Sequence, residues 1–347
     1  MSSPSSQLSP ILSVRHLKVY FSPRGVLPWQ RKGQIRAVDD LHLDLRAGET
    51  LGIVGESGCG KSSLARALIG LETPTSGSIR YAGRELANLS KKDWRPLRRE
   101  LQMVFQDPLA SLNPKMTVGQ IVAEPLRELC PEIPAAEHAQ RVAAMLERVG
   151  LSRDIVDRHP HEFSGGQAQR IGIARALIVK PKVLICDEAV SALDVSVRAQ
   201  IVNLLVELRQ EYGLTLIFIA HDLAIVRYLC DRVLVMYLGR VMEQAGAADL
   251  FGTPKHPYTR ALMAAAPTGA GAAPAAEADG KKKKKRKPPG GDMPSPAHPP
   301  MGCVFHTRCP LMESACVASV PSLRRVGPEH YAACHFVAAS DRAELQR

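Results

Sequence analysis

Residues Gly55–Ser62 read GESGCGKS and fit the spacing G-x-x-x-x-G-K-[ST]. Gly55, Glu56, Ser57, Gly58, Cys59 and Gly60 form a loop whose backbone N–H groups can wrap phosphate oxygens, which requires small residues and glycine. Lys61 would reach the β- and γ-phosphates, Ser62 would ligate Mg²⁺, and Ser63 continues a helix whose positive N-terminus points at the same anions. A glycine-rich turn can arise by chance, but the apolar run LGIV before this one and the helical run KSSLARALIGL after it are the context a phosphate loop needs. A second site lies at Val183–Glu188, VLICDE: four apolar residues make a buried strand with two carboxylates at its C-terminal end. Asp187 would hold Mg²⁺ directly or through water, and Glu188 would orient and polarise an attacking water. A third is Phe163–Gln167, FSGGQ. Ser164 can cap the helix that follows, and Gly165 and Gly166 leave its N-terminus open to anions. One chain cannot readily use two such devices on one γ-phosphate, so Ser164–Gln167 would serve a nucleotide held by a partner. The plainer alternative is a capping turn.

The surrounding pattern supplies the elements that must hold these groups. Residues 11–20 and 41–54 alternate or run apolar as strands do, and 22–35 reads as a loop. Helical patterns cover 115–150, interrupted by Pro125, Pro131 and Pro134 and ended by Gly150, then 164–179 and 195–211. Apolar strands follow at 183–186, 214–220 and 231–237. This alternation predicts an α/β fold with a parallel sheet covered by helices. From about 265 the chain turns Ala/Gly/Pro/Lys-rich and reads as a disordered basic linker over 266–300, followed by a tail at 301–337.

Composition is that of a soluble globular chain, with 45% apolar and 23% charged residues over 347 positions. No run of about 18 apolar residues occurs, and no signal peptide is visible, so the cytosol is the expected compartment. The net charge of +11 suggests nucleic acid at first sight. Seven of those charges form one run, Lys281–Lys287, leaving +4 for the rest. That run reads as a solvated spacer, a contact with anionic headgroups or a contact with nucleic acid, and the flanking prolines and glycines favour a spacer.

GESGCGKS, Gln106, FSGGQ, VLICDE, SALD (191–194) and His221, in that order, resemble the ATP-binding cassette family over residues 11–260. The resemblance implies a P-loop NTPase cassette with a parallel-sheet core, an antiparallel β subdomain and a helical subdomain at about 107–165. It implies a head-to-tail dimer with two composite ATP sites, the phosphate loop of one subunit facing the SGGQ of the other. In it Gln106 would sense Mg²⁺ and the attacking water, Asp194 would contact across the dimer, and His221 would touch the γ-phosphate. The adenine ring would stack on Phe21, with Tyr20 as the alternative. The chain departs from the family at Phe163, Ala168 and Ala189–Val190, and none of these removes a catalytic group.

QDPLASLNPKMTVGQIVAEPL (106–126), DEAVSALDVSV (187–197), HPYTRALMAA (256–265), CVFHTRCP and ACHF are similar to the dipeptide/oligopeptide import ATPases. The Trp29 insertion and DEAVSALD resemble the F-type subunit. That likeness implies a non-identical D-type ATPase partner, two transmembrane permease subunits, an external peptide-binding protein reached only indirectly, no nucleic-acid partner, and a peripheral place on the cytoplasmic face of the membrane. Related ATPases serve nickel, glutathione and other small peptide-like cargo, and a soluble DNA-repair cassette is a remoter alternative. Cys303, Cys309, Cys316 and Cys334 are spaced C-x₅-C-x₆-C-x₁₇-C. In a reducing cytosol four clustered cysteines suggest a metal, either a [4Fe–4S] cluster or tetrahedral Zn²⁺, over disulfides. Four unrelated thiols in a packed tail remain the alternative.

Overall fold

The computed structural model describes residues 9–22, 34–191, 193–265 and 292–337. Trp29 and the basic run at 281–287 lie outside the described residues. The strands are β1 (Leu12–Phe21), β2 (Ile35–Leu45), β3 (Thr50–Val54), β4 (Ser76–Tyr81), β5 (Arg84–Glu85), β6 (Leu101–Val104), β7 (Val183–Asp187), β8 (Thr215–Ile219), β9 (Arg232–Tyr237), β10 (Arg240–Gly246), β11 (Arg324–Gly327) and β12 (His330–Ala332). Among the described residues they make two sheets: an antiparallel β2-β1-β4-β5, and β11-β12-β10-β9-β3-β8-β7-β6. Within the second, β9, β3, β8, β7 and β6 run parallel, and β10, β12 and β11 add antiparallel neighbours on one side.

The central strands VLICD and TLIFI are buried throughout, as strands covered on both faces must be. Their alternation sorts the core. Val183, Ile185, Ile217 and Ile219 face the antiparallel sheet, whereas Leu184, Cys186, Leu216 and Phe218 face the helices and the tail. Each aliphatic residue fully buried here contributes about 1.5–3 kcal/mol. The apolar stretch 41–54 is two strands, not one. The chain turns at the polar Arg46–Glu49, with Gly48 at φ 73°, sending β2 to the antiparallel sheet and β3 to the parallel one.

The helices are α1 (Lys61–Leu68), α2 (Lys91–Glu100), α3 (Val118–Leu129), α4 (Ala135–Arg148), α5 (Gly165–Leu177), α6 (Val195–Tyr212), α7 (Leu223–Leu229), α8 (Ala247–Gly252), α9 (Pro257–Ala265) and α10 (Ser314–Ala318). Helices α3, α4 and α5 pack together as a helical layer. Pro125 lies inside α3 and does not interrupt it. It removes one backbone donor, while burial of Ile121, Val122 and Leu126 and a Thr117–Gln120 capping box hold the helix.

The tail is joined to the cassette. Strand β12 pairs with β10, setting Ala332 opposite Glu243 and Tyr331 opposite Gln244. Residues before it lie against the antiparallel sheet, where the Arg36 amide donates to the Pro296 carbonyl at 3.1 Å. No helix among the described residues is long and apolar enough to cross a membrane.

Candidate active site

Strand β3 ends in the loop 55–60 and α1 begins at Lys61. Two glycines are sterically required. A Cβ on Gly60 (φ 106°) would lie 1.8 Å from the Ala37 carbonyl oxygen, and one on Gly55 would lie 2.2 Å from that of Met236. Lys61 is buried, and its Nζ donates to the carbonyls of Gly55 (2.9 Å) and Glu56 (3.1 Å). The same Nζ lies 3.8 Å from Glu188 Oε1. The cation is thereby aimed into the loop and held within reach of the strand that carries the carboxylates.

Asp187 and Glu188 stand at the C-terminal end of β7. The Ser62 hydroxyl donates to Asp187 Oδ1 at 3.0 Å. Burial pushes the Asp187 carboxyl above its ordinary pKa, and the bond from Ser62 offsets only part of this. A hydroxyl and a carboxylate at this separation, beside a phosphate loop, are oxygen donors of the kind Mg²⁺ takes. Gln106, just beyond β6, donates from Nε2 to Glu188 Oε2 at 2.9 Å, and His221 Nδ1, just beyond β8, lies 4.0 Å from the same oxygen. Glu188 adopts φ 47°, fixed by its amide on the Ile219 carbonyl (3.0 Å) and by Ser191, whose amide and hydroxyl both donate to the Glu188 carbonyl. Six residues from four strand ends thus meet, at the edge where parallel sheets bind ligands.

Three expected features stand apart from this group: the Ser164–Gln167 turn, Asp194 and Phe21. Ser164 caps α5 in a reciprocal box with Gln167. No hydrogen bond among the described residues joins Ser164–Gln167 to the phosphate loop. The turn meets the SALD segment instead: a Cβ on Gly166 would lie 2.4 Å from Val197, and one on Gly165 would lie 3.5 Å from Leu193. Asp194 is exposed at the start of α6 with no side-chain capping bond, and the next residue, Val195, is 80% exposed. Phe21 packs at the rim of the antiparallel sheet, while Tyr20 is engaged elsewhere: its hydroxyl donates to Asp39 and Arg36 lies over its ring. Burial, then that bond, raise the Tyr20 pKa to about 12.

The four tail cysteines are free thiols that line one cavity of about 10 Å³ with His256, Phe305 and His335. Burial raises the Cys303 thiol to about 11. Among the described residues only His16, Asp40 and His42, on β1 and β2, bring three potential ligand atoms within 4.8 Å of one another. Four converging thiols are a donor set that fits a thiolate-bound metal group.

The sequence reading did not give HPYT or CVFHTRCP a place in the site. Tyr258 accepts a bond from the Glu56 amide (2.9 Å) through its hydroxyl, and Arg308 donates to the Glu56 carboxylate (2.9 and 3.0 Å). Glu243 anchors the same segment. Fully buried in β10, it accepts from the amides of Lys255 (2.6 Å) and His256 (2.9 Å) and pairs with His330 Nε2 (2.7 Å). The HPYT and CVFHTRCP stretches themselves were the only available signal, since these partners are distant in sequence.

Residues 38–191 match the ABC transporter family, and residues 242–316 match the C-terminal region of oligopeptide/dipeptide transporters. The chain is 51% identical over 326 residues to the oligopeptide transport ATP-binding protein OppF of Haemophilus influenzae, spanning 93% of this chain and 96% of that one. It is 52% identical to OppF of Escherichia coli K12, over 90% and 92% of the two chains. It is 48% identical to AppF of Bacillus subtilis, over 94% and 97%. Among solved structures, cbiO1 of Clostridium perfringens, part of an ABC transporter complex, superposes with a TM-score of 0.60 at 33% identity, covering 70% of this chain and 91% of that one. A dimeric ATP-binding cassette in a post-hydrolysis state with ADP and Pi gives 0.61 at 26% identity, covering 68% and 98%. The chain belongs to the ABC transporter family, as an ATP-hydrolysing cassette for which ATP and Mg²⁺ are the expected ligands.

Proposed function

We propose that this chain binds and hydrolyses ATP to drive import of oligopeptides or dipeptides through separate membrane-spanning subunits. The observation that carries the catalytic half is the meeting of Lys61, Ser62, Gln106, Asp187, Glu188 and His221 at four strand ends. Its likeness to the OppF and AppF proteins, reinforced by the matching C-terminal region, supports the peptide half.

In this reading the loop amides of 55–60 cradle the phosphates, and Lys61 moves from the loop carbonyls to the β- and γ-oxygens. Ser62 and Asp187 would hold Mg²⁺, which would supply positive charge to offset that of the phosphates. Glu188 accepts a proton from the attacking water as it turns it in line, with Gln106 and His221 fixing that carboxylate from either side. Since Ser164–Gln167 lies on the helical layer and contacts SALD, it serves the nucleotide of a partner cassette, and exposed Asp194 and Val195 sit where that partner docks. Phe21 stacks the adenine, because Tyr20 is committed to Asp39 and Arg36. The partner ATPase is a D-type relative, and the pair sits peripherally on the cytoplasmic face beneath two permeases.

The domain division follows: 11–260 as the cassette with its helical part at about 107–165, 266–300 as the linker and 301–337 as the tail. The four tail thiols, which line one cavity, would hold a thiolate-bound metal group, an iron–sulfur cluster or Zn²⁺.

The test is purification with the two neighbouring membrane subunits, followed by phosphate release with Mg²⁺, peptide and its binding protein. Peptide-stimulated hydrolysis in the assembled complex is expected. Soluble activity stimulated by DNA would refute the proposal. A colourless tail with no charge-transfer absorbance after anaerobic purification would exclude the cluster.

A further inference from the structure

Arg308 lies in the tail between Phe305 and Cys309, in a turn where the His306 amide donates to the Cys303 carbonyl at 2.9 Å. Its side chain is only 7% exposed although it belongs to the tail, because it reaches the phosphate loop. One guanidinium nitrogen donates to both Glu56 carboxylate oxygens (3.0 and 2.9 Å) and to the Tyr237 hydroxyl (3.3 Å). Glu56 is thus held at three points: its carboxylate by Arg308, its amide by Tyr258, and its carbonyl by Lys61 (3.1 Å). Beneath the loop, the rings of Tyr237, Tyr258 and Phe305 pack with centroids 4.7–5.4 Å apart. Phe305 and Arg308 come from the tail, and the other members from the cassette.

A phosphate loop must present its amides in one conformation, yet 55–60 contains three glycines, which lose the most freedom on being ordered. Whatever fixes Glu56 therefore lowers the entropy lost when the phosphates bind. We infer that the cysteine-bearing tail is a positioning element for the ATP site, acting through Arg308 on Glu56. The inference rests on the ATP-site reading above. It adds that nucleotide affinity depends on a segment more than 240 residues away along the chain. Arg308 is a positioning residue; it touches no reacting atom.

The experiment measures ATP affinity by equilibrium binding, and KM and kcat by phosphate release, on the full chain assembled with its membrane subunits. The variants are Arg308→Gln, Arg308→Lys, Glu56→Gln and the double Arg308→Gln/Glu56→Gln, each with a nucleotide-free thermal melt. Arg308→Gln is expected to weaken ATP binding and raise KM about tenfold, the scale of one partly screened charged hydrogen bond, with kcat changed less. Glu56→Gln should do the same, the double variant should be no worse than either single, and Arg308→Lys should recover part of the loss. ATP affinity unchanged in Arg308→Gln, or losses that multiply in the double variant, would overturn the clamp. If Arg308→Gln does not fold, the comparison of Glu56→Gln with wild type decides, and normal affinity there also overturns it. A wild-type protein that binds no ATP would instead refute the underlying site reading, so the two failures are distinct.

Discussion

Glu188 is held in a left-handed backbone conformation at φ 47°, which costs a non-glycine residue on the order of 1–3 kcal/mol. Bonds to Ile219 and Ser191 hold it there, and the result is a carboxylate aimed between Gln106 and His221. Replacing Glu188 with Gln keeps the shape and removes the proton acceptor. Hydrolysis should fall by about 10²–10⁴-fold while ATP binding persists, as read by phosphate release against equilibrium nucleotide binding. Retained turnover would move the general base elsewhere. Glycines make a second residue-scale test. Gly60→Ala would meet the Ala37 carbonyl at 1.8 Å and should abolish ATP binding and lower the melting temperature. Gly83→Ala has φ 80° but nothing within 4 Å, so it should cost only about 1–2 kcal/mol of strain and leave ATP binding intact. Equal damage from both would mean that backbone strain, and not the close approach, is what makes Gly60 necessary.

Among the elements, β10 and the start of α9 are pinned by a buried polar knot. Burial lowers the His256 pKa from 6.5 to about 4, so the folded protein keeps this ring neutral. The unfolded chain then binds more protons than the folded one as pH falls from 6.5 towards 4, and stability is lost across that window, by up to about 3 kcal/mol. Burial alone would raise the Glu243 carboxyl. The bonds from His330, Thr259 and the two backbone amides outweigh it and hold its pKa low, so its contribution is lost as pH falls below the ordinary 4.5 and the carboxylate protonates. Denaturant unfolding between pH 7 and 4 should show the slope, and His256→Gln should flatten it; an unchanged slope would place the titration elsewhere. This knot also shows where sequence reading stops. VLICD and TLIFI are legible as strands because continuous apolar runs need no partner to be read. Strand β10 carries Glu243, which looks like a surface residue until partners 12, 13 and 87 residues away fold onto it. The loop 55–62 and the pair Asp187–Glu188 are legible because their chemistry is local. Arg308 was not, because its role depends on a contact across the fold.

At the scale of the whole molecule, two layers share one sheet and the site opens at their common edge. The SGGQ turn lies on the helical layer with no hydrogen bond to its own phosphate loop among the described residues, and in the proposed function it is half of a site shared with a partner cassette. Ser164→Arg should therefore leave ATP binding by the separate chain within about twofold, yet stop turnover in the assembled pair; the bulk and charge would block an open helix N-terminus where a second nucleotide must approach. Lost binding in the separate chain would mean that the turn serves its own loop. The tail has a further consequence, for solubility. Without β12 and β11, the free side of β10 would be an exposed sheet edge, open to pairing with another molecule. On that side the outermost strand among the described residues is β11, four residues long, with exposed Arg324 and Arg325 along it. Short, charged edges discourage strand addition. Arg324→Val/Arg325→Val should turn this protected border into a template for concentration-dependent aggregation, visible by light scattering before any loss of secondary structure.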